Sequence, residues 1–316
     1  MPDFTEKAKQ LLAAQKNDWP TARGNYSDLE KVQVRMFYFD GFQVKVQFNP
    51  ARIVSSAAKV DRQSIASRKC FLCAENRPAE QQEITFGNYL ILVNPFPIFP
   101  EHFTIPLTSH VLQEISGKFG DMLDLAKALP GFTVFYNGPK CGASAPDHFH
   151  FQAGSEGFMP IENEMENLKI AKSRKLSITT PEVWAVDDGL RRFLVLEHPE
   201  KEKIAGFWEF LYGSLEAVAG KGEENVMLNI LVRFVENRWQ ALVFPRFRHR
   251  PWQYFEEGEK NILLSPASVD MGGALITPLE KDFLKIEKED IIDIFRQLVW
   301  PEENFNLLIE KLLNYA

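Results

Sequence analysis

Two stretches of this chain limit its fold more than any other feature. Residues 32–50, VQVRMFYFDGFQVKVQFNP, and residues 226–247, VMLNILVRFVENRWQALVFPRF, each set two runs of β-branched and aromatic residues around a short polar turn. The turns are Asp40-Gly41 and Glu236-Asn237. Alternating runs broken by such a dipeptide predict β-hairpins, and hairpins require antiparallel sheet. Helical spacing intervenes. Leu112, Ile115, Phe119, Met122, Ala126 and Leu129 recur every three or four residues, which predicts a helix capped by Ser109, entered at His110 and stopped by Pro130-Gly131. Residues 202–220, EKIAGFWEFLYGSLEAVAG, and the chain from Lys288 onward also read as helical, as does the N-terminus. ITFGNYLILVNP, EHFTIPL, FTVFYN and HFHFQA read as strands, and SPASVDMGGALITP as a strand or turn.

Strand, helix and hairpin therefore occur in both halves, which predicts an α+β fold built twice. We expect residues 1–165 and 166–316 to form two halves, each an antiparallel sheet with helices, packed about one cleft. No residue-level repeat relates them, and nothing like HFHFQ occurs in the second. One active site per chain follows.

The net charge of −7, well mixed along the chain, excludes an extended nucleic-acid surface but not a local basic pocket. The longest apolar run, YLILVNPFPIFP, is broken by Asn94 and prolines and falls short of the ~20 residues a spanning helix needs. The N-terminus lacks a signal-peptide core, and three cysteines do not suit a disulfide scaffold. A soluble, cytoplasmic protein with no membrane or nucleic-acid partner is expected, as monomer or homodimer.

Chemistry concentrates in HFHFQ. On a strand His148, His150 and Gln152 share one face, while Phe149 and Phe151 anchor the other in a core. A neutral imidazole can attack an α-phosphorus and form a covalent phosphoramidate. A neutral amide beside it can hold the non-bridging oxygen as charge moves. Gln152 carries no titrating proton, so it suits a leaving group that departs readily as an anion. A pair of packed or surface histidines is the plain alternative. The preceding Gly-Ala-Ser loop, whose backbone N–H groups can face phosphate, counts against it. Cys70-x-x-Cys73 is a half-site for zinc, with redox or merely buried cysteines as alternatives. His102, His110, His148, His198 and His249 are the candidates to complete it, and Cys70, Cys73, His110 and His148 would form a structural S2N2 site. FPRFRHRPW offers Arg246, Arg248, His249 and Arg250 either as a solvated face or as phosphate contacts. Arg52 and Lys140 face the same choice, with Lys140 favoured by its place in the loop approaching His150.

HFTIPLTSH followed by a helix, a strand and HFHFQ resembles the core of the histidine-triad superfamily, and Gln152 resembles its transferase branch. That branch contains galactose-1-phosphate uridylyltransferases, dinucleoside tetraphosphate phosphorylases and GDP-hexose phosphorylases. HFHFQA with FMPIE and QFNPAR is most similar to the last group, CFLC with His110 and His148 to the zinc site of the first, and LNILVRFVENRWQALVFPR to the phosphorylases' C-terminal half. The resemblance implies a nucleotidyltransferase working by ping-pong transfer. His150 would take the nucleotidyl group from a nucleoside diphosphate sugar or dinucleoside polyphosphate, and Gln152 would stabilise the intermediate. Phosphate or a sugar phosphate would then accept it. His148 would be a zinc ligand or an orienting residue, and Asn137, Gly142 and Ser144 would lie in a phosphate-contacting loop. The chain departs from the uridylyltransferases in a longer link from that loop to His148, and in Phe149 where they have proline. A histidine-triad hydrolase and a zinc-stabilised nucleotide-binding protein without turnover are the alternatives.

Overall fold

A computed structural model describes residues 3–53, 61–176, 180–220 and 226–315. Helix α1 (Thr5–Asp18) buries Ala8, Leu11, Leu12 and Gln15 along one face. Pro20, which lacks a backbone donor, opens α2 (Pro20–Leu29). The first hairpin forms as its sequence predicts: β1 (Gln33–Tyr38) pairs antiparallel with β2 (Gln43–Phe48). Asp40 and Gly41 turn the chain, and Phe39 N–H donates to Phe42 O at 2.8 Å. A short helix α3 (Arg62–Ser67) is capped by Asp61. There follow β3 (Glu83–Phe86), β4 (Tyr89–Val93), β5 (His102–Pro106), α4 (Phe119–Ala128), β6 (Phe132–Asn137) and β7 (His150–Ser155). Helix α5 (Pro160–Ala171) leads into β8 (Ser173–Lys175), β9 (Glu182–Asp187), β10 (Arg192–His198), α6 (Lys201–Ala219), β11 (Leu228–Val235) and β12 (Arg238–Pro245). The chain ends with α7 (Ser268–Met271), β13 (Ala274–Thr277), α8 (Glu280–Lys285), α9 (Lys288–Leu298) and α10 (Glu302–Leu312).

The fold is α+β. Ten strands form one sheet in the order β3-β4-β5-β7-β6-β11-β12-β10-β9-β8. Read by position within each half, that order is the same from either edge, and α4 and α6 occupy equivalent places between the third and fourth strands. The halves are thus related by a topological two-fold that passes between β6 and β11. The two sheets expected as separate are fused there, with Asn137 opposite Asn229 and Val134 opposite Val232. Each of these strands would otherwise present an unpaired backbone edge, and pairing them removes both liabilities at once. The second hairpin, β11–β12, turns on Glu236 and Asn237, both with positive φ, as a two-residue hairpin turn requires. The first hairpin stays outside this sheet. β13 adds parallel to β2, giving a separate three-stranded layer in the order β1-β2-β13. The expected division at 165/166 falls within α5.

Each face of the large sheet is covered. One buries α1, α2, α4, α6 and α10 against Phe149, Phe151 and Val232. The other packs the small sheet, α5 and α9 against Phe135, Val195 and Leu231. Phe119 of α4 stacks on Trp208 of α6 with ring centroids 4.1 Å apart, joining the helices of the two halves.

The helix expected from His110 begins at Phe119 instead. Backbone groups in residues 107–113 bond across to the chain entering β7: Leu107 N–H to Phe149 O, Phe149 N–H to Val111 O, and Gln113 N–H to Pro146 O. Groups committed to that pairing cannot enter a helical ladder, so periodicity overran the helix by nine residues.

Truncation of the interhelix stack gives a test of this packing. Phe119→Ala should lower stability by about 3–5 kcal/mol in urea unfolding. A loss below ~1 kcal/mol would mean that strand pairing alone holds the halves together.

Candidate active site and metal centre

β7 lies between β5 and β6, with His150 opposite Pro106 and Gln152 opposite both Thr104 and Phe135. Phe149 and Phe151, 4.9 Å apart, point into the helix-side core. Alternation therefore puts His150 and Gln152 on the opposite face; His148 lies just before the strand. Beyond the Phe135–Gln152 pair β6 and β7 diverge, and Gln113 fills the gap. Its Nε2 donates to Asn137 O (3.0 Å) and His150 O (2.9 Å), and its Oε1 accepts from His150 N (2.8 Å). Its own carbonyl accepts from Tyr136 Oη at 2.9 Å. This wholly buried amide fixes the backbone of His150 from a loop that sequence periodicity had assigned to a helix.

Backbone carbonyls set the tautomers. His150 Nδ1 lies 2.9 Å from His148 O, and a carbonyl can only accept, so Nδ1 holds the proton. The lone pair is left on Nε2. Burial pulls this imidazole down to about 4, so it is neutral at physiological pH. His148 Nε2 lies 2.8 Å from Leu107 O and must donate there. Its Nδ1 lone pair faces Cys70 Sγ at 3.3 Å and Cys73 Sγ at 3.5 Å. His110 Nδ1 is 3.1 Å from Cys73 Sγ, and its Nε2 is 3.7 Å from Asp147 Oδ2. The ligand atoms of Cys70, Cys73, His110 and His148 all lie within 4.8 Å of one another. A tetrahedral zinc with two sulfurs and two nitrogens sets S···N separations of about 3.6 Å, given its usual bond lengths. The donor set and its spacing fit such an ion, and Leu107 O and Asp147 supply the outer partners that orient ligating imidazoles.

The other histidines weighed as ligands lie elsewhere. His198 accepts from Glu200 N at 2.9 Å, and His249 follows the buried Arg246. His102 faces Gln152: its Nε2 is 3.0 Å from Gln152 Oε1, and its Nδ1 accepts from Ile98 N at 3.2 Å. Burial first, and then the charge of Arg52, hold His102 down to about 3. Arg52 donates to Phe96 O at 2.7 Å, and its charge reaches the buried His102 ring.

The phosphate-contact candidates separate into groups. Asn137 Oδ1 accepts from Asn229 Nδ2 (3.0 Å) and Ser268 N (2.8 Å), which fixes its amide and leaves Nδ2 as the remaining donor. Gly142 has φ +96°, and a Cβ there would stand 2.5 Å from Ala267 Cβ; only glycine suits both constraints. The Ser144 carbonyl accepts from Arg68, which also pairs with Asp147 at 2.9 Å. Lys140 and Arg248 are exposed. Arg246 departs from expectation. It is buried and gives all five donor positions to protein oxygens: Nε to Leu298 O, Nη1 to Asn229 Oδ1 and Pro266 O, and Nη2 to the carbonyls of Arg248 and His249. No donor remains for phosphate. Its role is to hold Asn229, and through it Asn137, at the junction of the halves. Sequence reasoning missed Gln113 and Asn229 because nothing in their spacing distinguishes a buried stitching amide from a surface one.

A family model described as a domain of unknown function, DUF4922, matches residues 11–155. No curated protein matches the chain. Among solved structures, yeast Ap4A phosphorylase Apa2 in complex with Ap4A superposes with a TM-score of 0.64 at 17% identity, covering 95% of this chain and 98% of that one. A second crystal structure of Apa2 gives 0.60 at 18% identity over 89% and 96% of the two chains. The fold is shared. Among the described residues no helix is long and apolar enough to cross a membrane.

The buried imidazole of His102 makes stability depend on pH. It titrates at about 3 when folded and near ~6.5 when unfolded, so below pH ~6.5 the unfolded chain binds the extra proton. Its stabilising contribution is complete above pH ~6.5. It falls by up to ~1.4 kcal/mol per pH unit as the pH drops toward about 3. Urea titrations between pH ~6.5 and ~4 should show a shallower acid loss for His102→Gln than for the wild type. Equal slopes would mean that His102 takes up no proton on unfolding.

Proposed function

We propose that the chain is a nucleotidyltransferase of the phosphorylase type that works through a covalent nucleotidyl-His150 intermediate. The observation that carries this reading is the neutral His150, its Nδ1 proton held by His148 O and its Nε2 lone pair without a partner among the described residues, on one strand face with Gln152. In the first step Nε2 attacks the α-phosphorus. The P–N bond forms, the bridging P–O bond breaks, and its electron pair leaves with the departing phosphate group as an anion. No proton transfer is needed, which suits a glutamine, with no titrating proton, beside the nucleophile. In the second step an oxygen of phosphate or a sugar phosphate attacks the same phosphorus, and the P–N electrons return to Nε2. The Gln152 amide, Arg52, the Asn137 amide nitrogen and the N–H groups around Gly142 and Ser144 are the groups we assign to the phosphates. Residues 1–165 supply the nucleophile, and residues 166–316 brace it through Asn229 and Arg246. A dinucleoside polyphosphate is the donor favoured by the likeness in fold to an enzyme solved with Ap4A; a nucleoside diphosphate sugar is the other.

We further assign zinc to Cys70, Cys73, His110 and His148. Bound there, it supplies a structural crosslink between the Cys70–Cys73 loop, the His110 loop and the start of β7. It leaves His148 a poor nucleophile, since that lone pair is engaged. Elemental analysis should find about one zinc per chain, and Cys73→Ser should remove most of it and lower the melting temperature. Protein isolated without chelator that holds no zinc would refute the assignment.

The catalytic reading is tested by incubating the protein with dinucleoside polyphosphates and nucleoside diphosphate sugars labelled at the α-phosphorus. Acid-labile, alkali-stable label should appear on the wild type. His150→Gly should lower its appearance by at least ~10³-fold without loss of fold or zinc. Normal labelling of that variant would place the nucleophile elsewhere.

A further inference from the structure

His102 has both ring nitrogens committed inside the sheet. Ile98 N–H points at Nδ1 from 3.2 Å. A backbone N–H can only donate, so Nδ1 bears the lone pair and Nε2 bears the proton. That proton faces Oε1 of Gln152 across 3.0 Å. With the amide oxygen taken, the NH2 end of Gln152 is directed the other way, and among the described residues it has no protein partner. We propose that His102 is a positioning residue: it orients the Gln152 amide so that NH2, not the carbonyl, meets the non-bridging oxygens of the phosphorus under attack by His150. This inference rests on the nucleotidyl-transfer reading of His150.

The orientation needs a device. A terminal amide that turns by 180° exchanges its oxygen and nitrogen with almost no change in shape, so packing alone does not choose between them. The wrong choice would set a carbonyl dipole against an oxygen gaining negative charge. Only a neighbour that can donate and not accept at that point decides the matter. A neutral histidine whose other nitrogen is occupied by a main-chain donor meets this condition. A protonated His102 would leave Ile98 N–H facing a second donor. Burial and the nearby Arg52 charge keep the ring neutral.

The surroundings hold the ring in place. His102 sits opposite Gly154 in the β5–β7 register, which makes Gln152 its diagonal neighbour on the same face. A Cβ on Gly154 would lie 2.4 Å from the Phe99 ring, so glycine there admits Phe99 over the strand. Phe99 then packs edge-on against His102 at 5.2 Å, and Phe135 lies on it at 5.9 Å.

Two substitutions separate orientation from mere filling of space. Asparagine at 102 can accept from Ile98 N–H in place of Nδ1 but does not reach Gln152. Glutamine can place an NH2 near the position of Nε2 and restore the donor to Gln152. Single-turnover labelling should be slowed about 10- to 100-fold by His102→Asn, with His102→Gln close to wild type. In a Gln152→Ala background, His102→Asn should change the rate by less than about twofold, because its effect is exerted through the missing amide. Melting curves on each variant confirm that folded protein is compared. Nitrogen-15 spectra of the wild type should report the Nε2–H tautomer. The Nδ1–H tautomer, or full additivity of the two substitutions, would overturn the proposal. Wild-type protein that takes up no label from any donor would instead sink the transfer reading and this proposal with it. The tautomer measurement needs no turnover and tells the two failures apart.

Discussion

The site depends on β7 being held on both sides while its two faces differ. Pairing with β5 and β6 fixes the strand, and Phe149 and Phe151 drive one face into the helix-side core. Each phenylalanine in such a core contributes roughly 1.5–3 kcal/mol by burial. A slip of one residue would carry both rings out of that core and set His150 and Gln152 among its apolar groups, so register is strongly specified. The reactive face is rigid because its reverse is hydrophobic. Gln113 extends that rigidity past the end of the β6–β7 ladder, where strand pairing alone would have released His150.

The mirrored strand order explains why one half can serve the other. The antiparallel β6–β11 junction places Asn137 and Asn229 side by side, and the end of β12 delivers Arg246 beneath them. A guanidinium in a dry interior is costly unless every donor is met, and here five protein oxygens meet it. Nearby Asp270 adds a compensating charge. The second half thus supplies stiffness to the loop after β6 and carries no counterpart of HFHFQ. In the proposed reaction that asymmetry gives one site per chain, built by both halves.

Much of this was legible in the sequence where periodicity and chemistry are local. Both hairpins and the alternation of HFHFQ follow from spacing; Cys70-x-x-Cys73 marks half of a metal site by donor type, while the choice of His110 and His148 among five histidines leaned on the resemblance to the uridylyltransferase zinc site. Long-range competition was not legible. Residues 110–118 carry helical periodicity, yet Val111 O and Gln113 N–H find partners at Phe149 and Pro146, far along the chain. Arg246 looked like a phosphate contact because a run of arginines carries no record of which one will be buried. His102 entered as a possible metal ligand, since a lone histidine in EHFTIPL does not disclose that Ile98 and Gln152 will occupy its two nitrogens. Fusion of the two sheets was hidden for the same reason: β6 and β11 are 90 residues apart, and either could have remained an edge.

Three of the histidines also show how a backbone can assign different work to identical side chains. His148 gives its Nε2 proton to Leu107 O and turns Nδ1 toward the cysteines. His150 gives its Nδ1 proton to His148 O and keeps its lone pair on Nε2. His102 accepts at Nδ1 from Ile98 and donates at Nε2 to Gln152. In each case a main-chain group, whose role as donor or acceptor is invariant, decides the tautomer. These carbonyls and N–H groups belong to the same segments that pair with or flank β7. The division into candidate ligand, nucleophile and positioning residue is therefore set by the course of the chain around β7. Imidazole basicity alone would not distinguish the three. A substitution that moved Leu107 or Ile98 would change the chemistry without touching a reactive side chain.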